Sequence, residues 1–316
     1  MKAYIARRLV SQALVLLAST VVVFGLLHLA PGGPAKLLLA GRPVTQQTID
    51  ALNHRYGLDR PLVVQYFTWL NHLVHGDLGD SIRERTPVAA AVAPRIVTTL
   101  ELTGYAALLM LVFGVSLGVL SAVYRSGPVD VSATIGTLTA ASIPSYVSGV
   151  VLIVIFTVKL PWFPSLGTGH GFVDSIDHLT LPAIALALSA LALISRVTRV
   201  AMIEALASDA VQTARVRGFT PARVIFKHAL RGALIPVVTM TGIVIGYLLS
   251  GAIIVEYVFS INGVGLLLVR SVQGLDYAVV QAIALVLTAE FLFINLVVDL
   301  LYAIIDPRVR LGRAVN

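Results

Sequence analysis

Six stretches of this chain are too long and too apolar to fold in water. They cover residues 9–30, 99–124, 132–160, 179–202, 232–258 and 278–305. A hydrocarbon core of about 30 Å takes about 20 apolar residues of helix, at about 1.5 Å per residue, and each stretch reaches that length. Backbone groups in lipid must be satisfied within the segment itself, so helices are the default. The alternation with period two that a membrane barrel requires is absent. The chain is 57% hydrophobic and only 12% charged, whereas a soluble domain averages about 25% charged residues. The expectation is an all-α membrane protein of about six transmembrane helices. The first stretch follows Lys2, Arg7 and Arg8 like a signal peptide, but it is longer than the roughly 7–15 residues of a signal core, so a retained helix is expected.

The net charge of +7 is a matter of topology. Basic residues collect before the first stretch (Lys2, Arg7, Arg8), after the second (Arg125), from the end of the fourth to the start of the fifth (Arg196, Arg199, Arg215, Arg217, Arg223, Lys227, Arg231) and at the end (Arg308, Arg310, Arg313). The short loop 161–178 on the other side has no Lys or Arg at all. Cytosolic loops gather positive charge, so both termini and the 196–231 segment are expected in the cytosol. This reading makes the basic balance no sign of nucleic acid. There are no cysteines, which excludes disulfides and thiolate chemistry.

Two segments between the spans carry patterns of their own. In 31–97, Thr45 suits the cap of a short helix through Ile49, Leu52 and Tyr56 that Gly57 ends. After Pro61, Leu62, Tyr66, Trp69, Leu70, Leu73 and Val74 recur at spacings of three and four, opposite Gln65, Thr68, Asn71 and His72. That is an amphipathic helix closed by Gly76. It either lies on the outer membrane surface or packs on the spans. In 196–231, Asp209 suits the cap of a helix over 210–217 and Gly218 the left-handed turn that ends it. Thr220 and Pro221 then start a second helix. A short helix held between two spans serves as a handle for a cytosolic partner or as a connection that touches nothing.

The residues here carry a family resemblance. Gln212-Thr213-Ala214-Arg215-Val216-Arg217-Gly218, then His228-Ala229-Leu230-Arg231 and Ala233-Leu234-Ile235-Pro236, resemble the cytosolic signature of binding-protein-dependent ABC permeases. The dipeptide/oligopeptide/nickel (DppB/OppB-like) branch is the most similar. Further marks fall in order along nearly the whole chain. They include Ala30-Pro31-Gly32, Tyr56-Gly57-Leu58-Asp59-Arg60-Pro61, Gly76-Asp77-Leu78-Gly79, Thr99-Leu100-Glu101-Leu102 and Ser142-Ile143-Pro144-Ser145. Gly263-Val264-Gly265, Asp276-Tyr277, Val298-Asp299-Leu300-Leu301-Tyr302 and Asp306-Pro307-Arg308 complete them. The acidic residue and the Pro of the general signature are missing, which leaves the contacts of Gln212 open.

The resemblance implies a type I ABC importer permease (MetI-like) fold in a bacterial inner membrane. Residues 1–97 would form an N-terminal helix plus extracytosolic segment. Residues 98–305 would form a five-helix core with the coupling segment at 203–231, and 306–316 a cytosolic tail. It also implies four kinds of partner: a second homologous permease, two ABC ATPase subunits, an extracytosolic binding protein and a peptide substrate. Ala210, Gln212, Thr213, Ala214, Arg215, Arg217 and Gly218 would form the coupling helix that meets the ATPase. The chain has no phosphate-binding loop of the Gly-x-x-x-x-Gly-Lys-Ser/Thr kind, no metal-ligand spacing and no catalytic set, so neither catalysis nor a cofactor is expected.

Ionisable residues at membrane depth often line a pathway. Glu290 is the best candidate in the sixth stretch, against a satisfied structural role. Asp299 and Glu101 lie near interfaces, and His28 ends the first stretch. Gly242, Gly246, Ser250 and Gly251 suit close helix packing, with the partner permease as one candidate. Pro144 and Pro182 can kink their helices, Pro144 serving as a gate hinge. Competing readings are a proton-coupled secondary transporter with Glu290 as relay, a membrane scaffold, and a permease for nickel chelates or haem.

Overall fold

In the computed structural model the described residues are 2–29, 47, 54, 59–81, 83–169 and 171–305. They form eleven helices: α1 (Lys2–Leu29), α2 (Leu62–Val74), α3 (Val88–Val123), α4 (Pro128–Ser142), α5 (Ser145–Leu152), α6 (Phe172–Leu206), α7 (Asp209–Val216), α8 (Pro221–Arg223), α9 (Leu230–Val258), α10 (Val264–Gln273) and α11 (Tyr277–Ile305). π-Helical stretches continue α5 through Ile153–Lys159 and join α8 to α9 through Val224–Ala229. Among the described residues the only strand-like pairing is an isolated bridge between Asp80 and Pro87. Of the expected helix from Thr45 to Gly57 only Gln47 and His54 are described, both helical; the tail 306–316 and the side chains of His28 and Asp299 lie outside the described residues.

Among the described residues five helical segments are long and apolar enough to cross a membrane, and a bent pair makes a sixth. The pair is the expected third span, and it is not one helix: α4 meets α5 and its π-helical extension at 99°. The cause lies in the sequence. Pro144 has no amide hydrogen and pushes the residue before it out of the helical region, and Ile143 sits at φ −90°, ψ 123°. Pro182 is carried inside α6 without a break. The helix that carries the fifth span starts ahead of the apolar stretch, because the helix expected from Thr220 and Pro221 runs on through the π-helical stretch into it, making Pro221–Val258 one helical run.

The chain divides into two compact units. The larger comprises Leu100–Ile261 and the chain from Phe293 onward. Its core holds Leu102, Met110, Leu186, Ile194, Leu248 and Val255, all fully buried. Small residues set its closest approaches. A methyl group at Gly118 of α3 would stand 2.5 Å from Thr198 Cβ and 2.6 Å from the Ser195 carbonyl oxygen of α6; one at Gly114 would stand 2.9 Å from Ile194 Cγ2. Gly114 and Gly118, four residues apart, form the small-x-x-x-small face that lets two membrane helices touch backbone to backbone. The glycines singled out in the fifth span are also used inside the chain. A Cβ at Gly242 would lie 2.7 Å from Val298 Cγ1, and one at Gly251 3.1 Å from Leu186 Cδ2. These two thus serve the expected close helix packing, but within the chain rather than against a partner. Ser250 remains exposed.

The smaller unit comprises Lys2–Thr99 and Asn262–Leu292. Val88 and Val92 pack with Val264, Leu267, Val279 and Ile283. The Thr99 hydroxyl accepts from the Val264 amide at 2.9 Å, and the buried Ser81 hydroxyl donates to Asp276 Oδ2 at 2.6 Å. Helix α2 rests on α1, with the Phe24 ring 5.4 Å from Tyr66 and 5.6 Å from Trp69 and with Thr20 and Tyr66 sharing a hydroxyl hydrogen bond of 2.8 Å. One face of α2 is thus packed on a span. The other carries exposed Val63 and Phe67, which neither expected face included, and Val74, expected on the packed face, is exposed as well. Gly76, at φ +81°, ends the helix region as expected. Just past α2, a hydrogen bond from His72 and another from the Gly79 amide hold the Asp77 carboxyl below its ordinary value.

Candidate functional site

The segment after α6 builds a short helix that stands on its own domain by one face only. Ser208, not Asp209, occupies the position before the first turn of α7, at φ −70°, ψ 152°. Its hydroxyl does not cap the helix, because it donates back to the Ala205 carbonyl at 2.7 Å. Asp209 is the first helical residue, where its charge suits the positive end of the helix. At the other end Gly218 is left-handed, at φ +75°. Its amide bonds the Arg215 carbonyl at 2.9 Å, and the Phe219 amide reaches back to the Ala214 carbonyl at 3.3 Å. Those two bonds are the glycine-dependent helix stop that satisfies the last carbonyls.

The two faces of α7 differ sharply. Val211 and Ala214 are buried, packed with Val119, Ala122, Met202, Val224 and Ala229 in a small apolar core. Ala210, Gln212, Thr213, Arg215, Arg217 and Gly218 are exposed. Ala214 therefore anchors the helix and offers nothing outward, which corrects its place in the expected contact set. Val216 was not singled out from the sequence, yet at 89% exposure it is the most exposed large apolar residue described. Its spacing from Val211 and Ala214 puts it off their face, and that was the available signal. Gln212 donates to the Ala207 carbonyl at 3.3 Å, tying α7 to the end of α6. Beyond Gly218, Phe219 stacks on His228 at 5.5 Å and 12°, with the Arg223 guanidinium 4.5 Å above its ring. The arrangement is a short helix with one buried face, whose exposed side carries the basic Arg215 and Arg217.

Near this small core, Arg199 of α6 clamps Asp130 of α4. Nε to Oδ1 and Nη2 to Oδ2 are both 2.7 Å, and the Ser126 amide donates to Oδ2 at 2.9 Å. This fork was not legible in the sequence, since its partners are far apart along the chain. Glu256 of α9 is fully buried and was hidden within an apolar run. Of the expected pathway residues, Glu290 is buried at 8% exposure. It does not line the apolar cavity of about 800 Å³ between α3, α9 and α11, where Thr103, Leu111, Val237, Thr241, Phe293 and Val297 lie. Pro144 stands at the break of the bent pair. Among the described residues no group of acidic or histidine side chains is placed to hold a metal.

A family model described as the binding-protein-dependent transport system inner membrane component matches residues 114–311. A second, for the N-terminal part of such membrane components, matches residues 1–103. The chain belongs to this family, as a multi-pass membrane component of a binding-protein-dependent transport system. Among its relatives, the glutathione transport system permease protein GsiC of Escherichia coli O6:H1 is 41% identical over 308 residues, 97% of this chain and 98% of the relative. The protein of the same description from Salmonella paratyphi A is 40% identical over 307 residues, with the same two coverages. Among solved structures, two inward-facing crystal forms of the MetNI methionine ABC transporter align with TM-scores of 0.55 and 0.58 at 19% and 20% identity. Both cover 68% of this chain, with 96% and 95% of the matched chain. The fold is that of a type I ABC importer permease.

Proposed function

We propose that this chain is one of two permease subunits of an ATP-driven importer of peptides of the glutathione, dipeptide or oligopeptide class. The observation that carries the reading is α7, a short helix buried on Val211 and Ala214 and exposed on every other side. A groove on a cytosolic ATPase would receive Gln212, Thr213, Arg215, Val216 and Arg217. Closure of the ATPase pair around nucleotide would push α7, and the core shared with α6 and α9 would carry that movement to the spans. ATP hydrolysis resides on those partner subunits and substrate capture on an extracytosolic binding protein. Peptide as cargo follows from the GsiC relatives, whose name gives glutathione.

The orientation that goes with this function puts both termini and 196–231 in the cytosol, with 31–97 outside. We take residues 98–305 as the permease core, with its coupling segment at 203–231, and 1–97 as an added N-terminal block. Pro144 is the proposed hinge of the bent span; unchanged transport by Pro144→Ala would refute that role. The burial of Glu290 favours a structural role over lining the passage.

The test is uptake into proteoliposomes holding the complete transporter and its binding protein. Labelled glutathione and dipeptides should accumulate with ATP inside. They should not accumulate when 210–218 is replaced by a flexible linker in a chain that still inserts. ATP-independent uptake driven by a proton gradient would overturn the proposal. The chain has no cysteines, so a single cysteine placed at Gln212 reports orientation through its reaction with impermeant reagents.

A further inference from the structure

A second cavity, of about 360 Å³, opens between α3, α4 and α6. Its lining divides into a polar part and an apolar flank. The polar part holds Ser121, Ser195, Arg196 and the Arg199–Asp130 pair. The flank is formed by Val131, Ile135 and Leu138 of α4, each of which is exposed.

The charges do not cancel. Asp130 takes up the Arg199 guanidinium through both oxygens, while Arg196 is exposed and makes no ion pair among the described residues. One positive charge is left at the mouth. Ser121 is 2% exposed, and its hydroxyl has no hydrogen-bond partner in the protein. A helical serine ordinarily bonds back to its own helix, as Thr137 does here to the Ala133 carbonyl at 2.8 Å. A buried hydroxyl without a partner costs free energy unless something enters to bond it.

We propose that this cavity binds the phosphate of an anionic phospholipid. The Arg196 guanidinium would take the phosphate oxygens, the Ser121 hydroxyl would bond the headgroup, and Val131, Ile135 and Leu138 would carry the upper acyl chain. The juxtaposition of a polar floor, a spare cation and an exposed aliphatic wall selects an amphipathic anion over a small soluble one. Basic pockets between membrane helices on the cytosolic side are suited to such headgroups. The site touches the coupling region through α3, where Ser121 precedes Ala122 of the small core beneath α7, so its occupancy would stiffen the seat of that helix. Assignment to the inner leaflet rests on the orientation proposed above; the binding itself does not.

The complete transporter in nanodiscs of phosphatidylcholine, doped with phosphatidylglycerol, is the test system. Native mass spectrometry should show retained phosphatidylglycerol on the wild-type complex. Arg196→Ala should weaken that retention about tenfold, the loss of one charge-assisted contact, whereas Arg196→Lys should keep most of it. Thermal unfolding in phosphatidylcholine alone should be the same for all three, which separates lost binding from lost folding. Equal retention by Arg196→Ala and wild type would overturn the proposal. So would displacement of the lipid by glycerol phosphate at equal concentration, which assigns the site to a soluble phosphate.

Discussion

Breaking the Asp130–Arg199 fork isolates one buried interaction whose strength follows from its geometry. Both bonds are 2.7 Å, and the side chains are 7% and 30% exposed for Asp130 and Arg199. At a charge separation of about 4 Å and an effective dielectric constant of about 20, the attraction is about 4 kcal/mol. Desolvation of the two ions and the partial wetting of Arg199 remove about half of that. The expected coupling is therefore about 2 kcal/mol. Asp130→Asn alone should cost about 3 kcal/mol, because it leaves Arg199 charged and half-buried and weakens the bond from the Ser126 amide. Arg199→Ala should cost about the same, while the double variant Asp130→Ala/Arg199→Ala should cost clearly less than the two single losses added. The assay is reversible unfolding by sodium dodecyl sulfate in mixed micelles, followed by circular dichroism. A coupling below about 0.5 kcal/mol would refute the argument and reduce the fork to a surface contact.

Three further outcomes follow from the same structure. Gly118→Ala should lower unfolding stability by about 1–3 kcal/mol, the usual cost of overpacking, because the added methyl meets Thr198 and the Ser195 carbonyl; the same micelle assay checks it. Gly218→Val should destabilise the end of α7 by about 1–2 kcal/mol through its positive φ, seen as faster hydrogen exchange over 210–219, whereas Gly218→Asn should be milder. Val216→Glu should change stability by no more than about 0.5 kcal/mol, as an exposed substitution does, yet it should depress ATP-dependent uptake in proteoliposomes; full uptake would remove Val216 from the coupling surface.

What the sequence made legible was the part governed by local chemistry. Six apolar stretches gave the spans, Gly218 the turn after α7, and Pro144 the place where the third span breaks. The 99° angle at that break was not foreseeable, since proline removes a helical bond without fixing the new direction. The helix start at Thr220 and Pro221 was legible, but Arg223, Lys227, His228 and Arg231 hid that this helix runs on without a break into the fifth span. Contacts between distant residues stayed out of reach: Asp130 with Arg199, Gly118 with Thr198, Gly242 with Val298. The inward turn of Ala214 and the outward turn of Val216 were within reach, because three-and-four spacing from Val211 sorts them, but the signature motif runs across both faces and conceals the division.

The break between α4 and α5 limits what can stand next to it. The Ile143 amide reaches the Ala140 carbonyl at a long 3.4 Å, Pro144 has no amide hydrogen to offer, and the Ser142 hydroxyl bonds the Leu138 carbonyl at 2.8 Å. Backbone opened in this way pays a desolvation penalty against hydrocarbon. Ser142, Ile143 and Pro144 are all exposed, so this corner has to turn toward a wet crevice or a neighbouring subunit, and acyl chains are barred from it.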